Sequence, residues 1–194
     1  GFDILEGKEP SFHNFSKNYK STREFQSLTE SQILEEIQQG NYMMLEKPTM
    51  TTSSLGAILK PGSEYKDPSV RLIHDLSRPE GGVNRFCENR SVSYNTVDDA
   101  TRRLGKNFYL AKLDLSGAYR SIAVHPRNYP YLGIHWKFSG KNKYLNSGTS
   151  QKYNRRGDKE LPCYMFDSKL PFGCASACRI FTRISNAIAR VLAR

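Results

Sequence analysis

One acidic residue stands where proteins often place a metal ligand. In the stretch LAKLDLSGAYRSIAVHP, Asp114 ends an apolar run that predicts a β-strand, and small residues with Tyr119 follow directly. A carboxylate at a strand end suits Mg²⁺, and backbone N–H groups in the next turn suit phosphate oxygens. The alternative is a helix N-cap or a surface acid, which is the commoner reading of a single aspartate. Asp114 therefore indicates a catalytic site only if other segments supply partners.

Two other segments offer such partners. The stretch KLPFGCASACRIF puts Phe172 and Gly173 at a predicted strand-to-helix junction, where small residues let a nucleic acid strand approach the backbone. The runs SSLGAILK and VRLIHDLS, separated by a turn-rich tip, predict a β-hairpin with Lys60 and Arg71 on adjacent strands. Two such cations can hold a triphosphate. Taken alone, these features are also an ordinary helix start and ordinary solvated charges.

The remaining local patterns predict the elements that position these residues. LTESQILEEIQQG predicts a helix with Thr29 and Gln32 as a capping box and Gly40 at its end. TVDDATRRLG predicts a second helix, capped by Thr96 and ended by Gly105. The runs FYLAKLD, YLGIHW and YMFDSKL predict three strands.

The last predicted helix, CASACRIFTRISNAIARVLAR, has an apolar stripe and a separate arginine face. Arg179 and Arg183 on that face are candidates for contact with template phosphates, and a solvated helix surface is the alternative. Upstream, Lys137 to Lys159 hold seven basic residues against one acid, Asp158. This predicts a basic loop of about 138–161 inserted into a hairpin. The loop could contact nucleic acid, derive from a translated intron or a damaged copy, or simply be disordered, with disorder favoured.

Composition limits the class of protein. The 194 residues are 38% hydrophobic and carry a net charge of +10, which predicts a folded domain and favours a polyanionic partner. No apolar run is long enough for a membrane span and no signal-peptide pattern begins the chain, so we expect an intracellular protein of the cytoplasm or nucleus. The four cysteines show no metal-site spacing and are predicted to be buried thiols.

Taken in order, the motifs resemble those of the reverse transcriptase family. That family runs from a basic hairpin, through a strand ending in Asp with an aromatic five residues on, to a Leu-Pro-x-Gly turn and a long helix. These features correspond here to Lys60 and Arg71, to Asp114 and Tyr119, and to Leu170 to Gly173. The stretches RLIHDLSRPEGGVN, KLDLSGAYRSIAVHPRNYPYLGIHW and MFDSKLPFGCASACRIF are most similar to retrotransposons with a tyrosine recombinase, the DIRS group.

The resemblance covers about residues 28–194 and implies an α+β, right-hand polymerase fold. It implies fingers at 28–105 and a partial palm at 106–194, with an antiparallel palm sheet packed on helices. Residues 1–27 are predicted to be an extended lead-in. The family's later Tyr-x-Asp-Asp hairpin does not occur in the 194 residues, so the palm is expected to be truncated before it.

The resemblance also implies roles for individual residues in DNA synthesis from deoxynucleoside triphosphates on an RNA or DNA template with a primer. Asp114 and the Leu115 carbonyl would bind Mg²⁺, or Mn²⁺ in its place. Lys60 and Arg71 would bind the β and γ phosphates of the incoming nucleotide, and the N–H groups of Gly117 and Ala118 would complete the phosphate site. Tyr119 would lie under the sugar and exclude a ribose 2′-hydroxyl, and Phe172 would line the nucleotide pocket. Gly173 would support the template.

Two alternatives stay open beside the polymerase fragment. A degenerate copy could bind nucleic acid through phosphates without chemistry. An RNA-templated RNA polymerase shares the palm aspartate, although the bulky Tyr119 at the gate favours deoxynucleotides. Because the family's other metal carboxylates lie in the Tyr-x-Asp-Asp hairpin, we expect these 194 residues to lack polymerase activity on their own.

Overall fold

The computed structural model describes residues 1–11, 13–63, 67–78, 81–88, 91–111, 114–139 and 160–192. Within them the chain forms an α+β fold with a five-stranded sheet, a two-stranded sheet and α-helices. The helices are α1 Lys20–Glu24, α2 Gln26–Gln38, α3 Val97–Thr101 and α4 Ala177–Leu192. The strands are β1 Asn14–Phe15, β2 Tyr42–Leu45, β3 Thr51–Thr52, β4 Ser54–Leu59, β5 Val70–Asp75, β6 Gly133–Ser139 and β7 Glu160–Asp167.

The larger sheet is mixed, whereas the sequence predicted an antiparallel one. Its strand order is β1-β3-β6-β7-β2, with β6, β7 and β2 antiparallel and the short β1 and β3 added parallel to β6. The close approach of β3 depends on Gly133, because a Cβ there would overlap the Thr49 hydroxyl and the Thr51 carbonyl. Two-residue strands carry too little pattern to be predicted from the sequence.

Both predicted hairpins are confirmed. Strands β4 and β5 pair antiparallel, with Ile58 opposite Arg71, and the Lys60 N–H continues the ladder to the Ser69 carbonyl at 2.9 Å. Strands β6 and β7 pair from Gly133 to Ser139. The predicted bounds of the basic loop, about 138–161, are too wide, because Phe138 pairs with Leu161 and Ser139 with Glu160 in this hairpin. Residues 140–159 of the predicted loop lie outside the described residues.

Buried side chains form two cores, and both cross the boundary predicted near residue 105. One core joins the N-terminus and the turn after β5 to the start of α4, and the other joins α2 and the β4–β5 hairpin to the β6–β7 hairpin. The fully buried members of the first core include Ile4, Leu5, Leu76, Leu132 and Leu170, and those of the second include Ile33, Leu55, Ile134 and Met165. The assignment of ranges to fingers and palm stays a prediction.

The description of residues 1–27 as an extended lead-in is wrong. Ile4 and Leu5 have no exposed surface, and residues 14–15 and 20–24 form β1 and α1. The Ile4 N–H donates to the buried Asn128 side chain at 3.0 Å. The Ile4–Asn128 contact joins positions 124 residues apart, and a local sequence pattern cannot indicate such a contact.

Two other element predictions need correction. Helix α2 begins at Gln26, after Phe25, so Thr29 lies inside the helix and caps nothing; Gly40 does end it, with φ +70°. The run FYLAKLD forms no strand in its described residues, where Tyr109 and Leu110 are 101% and 78% exposed. A strand needs a neighbouring strand, and none lies beside residues 108–111 in the described part of the chain.

The predictions for α3 and for the cysteines are confirmed in part. Thr96 caps α3 by accepting from the Asp99 N–H at 3.2 Å, although α3 ends at Thr101, before Gly105. All four cysteines are free, and three are buried; Cys178 is exposed. Among the described helices, none has the length and apolar character that a membrane crossing requires.

Candidate nucleotide-binding site

Three residues from separate segments meet at one place. The Arg71 guanidinium lies over the Phe172 ring, with its carbon 5.4 Å from the ring centroid. Phe172 also packs against Tyr119 at a centroid distance of 5.0 Å. Tyr119 also contacts the Phe181 ring of α4 at 5.7 Å. The hairpin, the turn after residue 114 and the Leu-Pro-Phe-Gly turn therefore share a single surface.

A cavity of about 230 Å³ opens beside this surface. It lies between helix α2, the β4–β5 hairpin and the end of β7. Its lining includes three of the residues implied by the family resemblance, Lys60, Arg71 and Phe172. Arg71 and Lys60 are exposed, so their charges can reach an anion entering from solvent.

A buried ion-pair network forms the base of the cavity, and sequence reasoning missed it. Arg120 donates to Asp167 through two hydrogen bonds of 2.8 and 2.9 Å, and to Glu36 at 2.6 Å. The Arg120 and Glu36 side chains are each 14% exposed, and that of Asp167 is 1% exposed. Glu36 is 84 residues from Arg120 in the sequence and Asp167 is 47 residues from it, so no local spacing could have indicated the network.

Burial shifts the protonation of two groups that line the cavity. Desolvation raises the pKa of Asp167 to about 6, although the attraction of Arg120 acts in the opposite direction. Desolvation lowers the pKa of His74 to about 4, so its ring is neutral near pH 7. His74 Nε2 lies 3.1 Å from the Gly133 carbonyl, which fixes the imidazole against β6 when Nε2 carries the proton.

The Leu-Pro-Phe-Gly turn is held to strand β5 by its backbone. The His74 N–H donates to the Phe172 carbonyl at 2.9 Å, and Gly173 adopts φ +117° with its Cα close to the His74 carbonyl. A side chain at position 173 would overlap that carbonyl. Asn84 completes the anchor by donating to the Gly173 carbonyl at 2.7 Å and accepting from the Ala175 N–H at 2.8 Å. Asn84 is a positioning residue that the sequence did not single out.

The turn after Asp114 lies at the surface. Gly117 has φ +60°, and its carbonyl accepts from the Ser121 N–H at 3.0 Å, which makes the tight bend that the small residues predicted. Ala118 is half-buried, whereas Asp114 and Leu115 are exposed. Asp114 makes no hydrogen bond or ion pair with another described residue.

The donor set here does not by itself fit a magnesium site. Asp114 is a single carboxylate, and no group of three or more His, Cys, Asp or Glu side chains suited to a metal occurs in the described ranges. Mg²⁺ requires several oxygen ligands in a tight octahedron. Asp167 is not available as a second ligand, because it is buried and bound by Arg120.

The two arginines proposed for template contact differ in their surroundings. Arg179 is paired with Glu6 and with Glu88, which lies 2.5 Å away, so its charge is already engaged within the protein. Arg183 is exposed on α4. The geometry therefore favours Arg183 over Arg179 as a residue for nucleic acid phosphates.

Reverse transcriptases of known structure share this fold. The native protease-reverse transcriptase of prototype foamy virus matches with a TM-score of 0.58 and 16% identity, covering 97% of this chain and 20% of that one. A foamy viral protease-reverse transcriptase, dRH, in complex with double-stranded DNA matches with a TM-score of 0.62 and 14% identity, covering 97% and 27%.

These matches show a reverse-transcriptase-like fold and confirm that part of the expectation from sequence. The chain spans between a fifth and about a quarter of the length of the structures it matches. No protein-family model and no curated protein matches the chain.

Proposed function

We propose that this chain is the fingers and partial palm of a reverse transcriptase, which synthesises DNA on a nucleic acid template. The single observation that carries the proposal is the contact between Arg71, Phe172 and Tyr119. The family resemblance implies that all three residues contact one incoming nucleotide. The contacts of Phe172 with Arg71 and with Tyr119 support that proposal.

In this proposal the cavity receives the triphosphate of a deoxynucleotide. Lys60 and Arg71 bind the β and γ phosphates, since charge-assisted hydrogen bonds to phosphate are the strongest contacts available there. Tyr119 lies under the sugar and excludes a 2′-hydroxyl, and its position is fixed by the Phe172 and Phe181 rings. The turn with Gly117 and Ala118 offers N–H groups, while Gly173 and α4 support the template.

A divalent cation would be needed for nucleotidyl transfer in this proposal. When bound, Mg²⁺ or Mn²⁺ would supply charge for the transfer of a nucleotidyl group. Asp114 and the Leu115 carbonyl are this chain's candidates to contribute to such a site. Because one carboxylate is not a complete ligand set, we propose that the 194 residues alone are inactive.

The parent protein, in this proposal, belongs to a retroelement of the DIRS group and works inside the cell, in the cytoplasm or nucleus. The net charge of +10 supports a nucleic acid partner. The second candidate function is a degenerate copy that binds nucleic acid without catalysis. It is favoured because the described residues place Asp114 in no group of three or more metal-binding side chains.

Primer extension on an RNA template with Mg²⁺ tests the proposal. We would compare this chain with a version extended downstream through an Asp-Asp-containing hairpin and thumb. Activity is expected only in the extended protein and is expected to disappear in Asp114→Asn. Inactivity of both proteins, with salt-sensitive nucleic acid binding retained, would favour the degenerate copy instead.

Two substitutions in the extended protein test the pocket itself. Arg71→Ala is expected to raise the KM for deoxynucleotide at least about tenfold, because a charge-assisted contact to phosphate is lost. Arg102→Ala is the matched control, since Arg102 is exposed and pairs at 3.6 Å with Asp99 of α3. Tyr119→Ala is expected to raise ribonucleotide incorporation; unchanged sugar selectivity would exclude Tyr119 as the gate.

A further inference from the structure

Three aromatic rings meet on the outer face of the five-stranded sheet. The ring centroids of Phe15 and His135 lie 5.0 Å apart, those of His135 and Tyr164 5.6 Å, and those of Phe15 and Tyr164 6.5 Å. We call these three residues the aromatic cluster. His135 and Tyr164 are direct partners in the β6–β7 ladder, so the strand pairing fixes their spacing.

The aromatic cluster points away from the core. Successive strand residues alternate between faces, so Tyr164 lies opposite Cys163 and Met165, which are buried in the second core. Phe15 is 52% exposed, and the other two rings are half-buried. Apolar surface continues along the same face to Met43, which is 46% exposed. This face therefore carries one exposed ring, Phe15, packed against two half-buried rings.

One basic residue lies beside the aromatic cluster. Lys137 is two residues beyond His135 on the same face of β6. Desolvation and then Lys137 lower the pKa of His135, so its imidazole is neutral near pH 7 and can stack as an uncharged ring.

We propose that the aromatic cluster binds single-stranded nucleic acid by stacking bases on Phe15 and Tyr164. Aromatic side chains beside basic residues are the usual means of holding an unpaired strand. A single strand is favoured over a duplex, because only unpaired bases can turn a ring face toward the protein. The net charge of +10 complements the phosphates.

This site is separate from the candidate nucleotide pocket. Asp167 lines the pocket, and Tyr164 lies an odd number of residues away on the same strand, hence on the opposite face of the sheet. The inference therefore does not rest on the polymerase proposal. It gives the chain a second nucleic acid contact, where an unpaired template or product strand could be held away from the cleft.

Binding of a short fluorescent oligothymidylate, followed by anisotropy with the whole 194-residue chain, tests the inference. Phe15→Ala is expected to weaken binding about tenfold, the usual effect of removing one stacking ring. Tyr164→Phe and Phe15→Trp keep the rings and are expected to bind like the unmodified chain. Phe108→Ala is the matched control, because Phe108 is 64% exposed and lies outside the sheet.

Two results would overturn the inference. One is equal affinity of Phe15→Ala and Phe108→Ala for the oligonucleotide. The other is loss of self-association in Phe15→Ala, measured by light scattering, with oligonucleotide affinity unchanged; that would assign the face to a second copy of the chain. Phe15→Ala is expected to leave the deoxynucleotide KM of the extended protein unchanged, so this test and the test of Arg71 succeed or fail independently.

Discussion

Arg120 joins three parts of the chain through charged contacts. It lies directly after Tyr119, binds Glu36 of α2 and Asp167 of β7, and places its guanidinium 5.4 Å from the Tyr42 ring centroid. A planar guanidinium can hold two carboxylates at once, which a lysine ammonium does less well. The residue next to the proposed sugar gate is thereby fixed to a helix and to a strand.

Arg120→Met tests the strength of this network. Removing the cation leaves the buried Asp167 carboxylate uncompensated, so we expect the free energy of unfolding to fall by about 3–5 kcal/mol. Urea unfolding followed by the fluorescence of Trp136, the single tryptophan, measures it. Adding Asp167→Asn should restore part of the loss.

Arg102→Met provides the comparison for Arg120. The Arg102 side chain is 76% exposed, and its ion pair with Asp99 is at the surface. Surface ion pairs contribute less than about 1 kcal/mol to the free energy of unfolding, so Arg102→Met should change that free energy little. Equal losses in the two variants would show that the buried network does not stabilise the fold.

At the scale of elements, the start of α2 shows how a local signal can mislead. Thr29 and Gln32 have capping-box spacing, yet the helix begins three residues before Thr29. Thr29 is fully buried, and its hydroxyl has no hydrogen-bond partner among the described residues. Packing against the β4–β5 hairpin draws the helix upstream of its sequence signal.

Thr29→Val distinguishes a cap from a buried helix residue. If Thr29 were a cap, its replacement would lower the free energy of unfolding by about 1 kcal/mol. If its hydroxyl is buried and unpaired, the replacement should leave the free energy of unfolding unchanged or raise it by up to about 1 kcal/mol. We expect no loss in urea unfolding. Thr96→Val is the control, since the Thr96 hydroxyl does accept a capping hydrogen bond; a larger loss at Thr29 than at Thr96 would contradict the structure.

At the scale of the whole molecule, buried titratable groups link stability to pH. His74 is neutral when folded, with its pKa lowered to about 4, while the unfolded chain takes up a proton near the ordinary value of 6.5. Its contribution to stability is therefore complete above pH 6.5 and is lost as the pH falls toward 4. The raised pKa of Asp167, about 6, acts in the opposite direction. Between pH 3.8 and 6 the folded chain keeps a proton on Asp167 that the unfolded chain has released, so stability falls as the pH rises through this range.

His74→Gln isolates the first of these effects. The glutamine amide can still donate to the Gly133 carbonyl, but it does not titrate. Between pH 6.5 and 4 we expect the unmodified chain to lose up to roughly 3 kcal/mol relative to the variant. Urea unfolding at a series of pH values measures the difference. A constant difference across this range would show that His74 titrates normally in the folded state.

The sequence by itself determined the features that a few neighbouring residues encode. Alternation predicted β4, β5, β6 and β7, and helical periodicity with Thr96 as a cap predicted α4 and α3. The family resemblance also implied that Arg71, Tyr119 and Phe172 contact one nucleotide, and in the fold Phe172 contacts both Arg71 and Tyr119. These signals are local or carried by family resemblance, so they do not depend on knowing which surfaces pack.

Only the tertiary structure decided the rest. It placed Ile4 and Leu5 in a core, left residues 108–111 without a strand partner in the described chain, and assembled the aromatic cluster from three strands. It also joined Arg120 to carboxylates 84 and 47 residues away. Such contacts form because packing the apolar faces brings distant segments together, and a buried charge then persists only where packing supplies its partner.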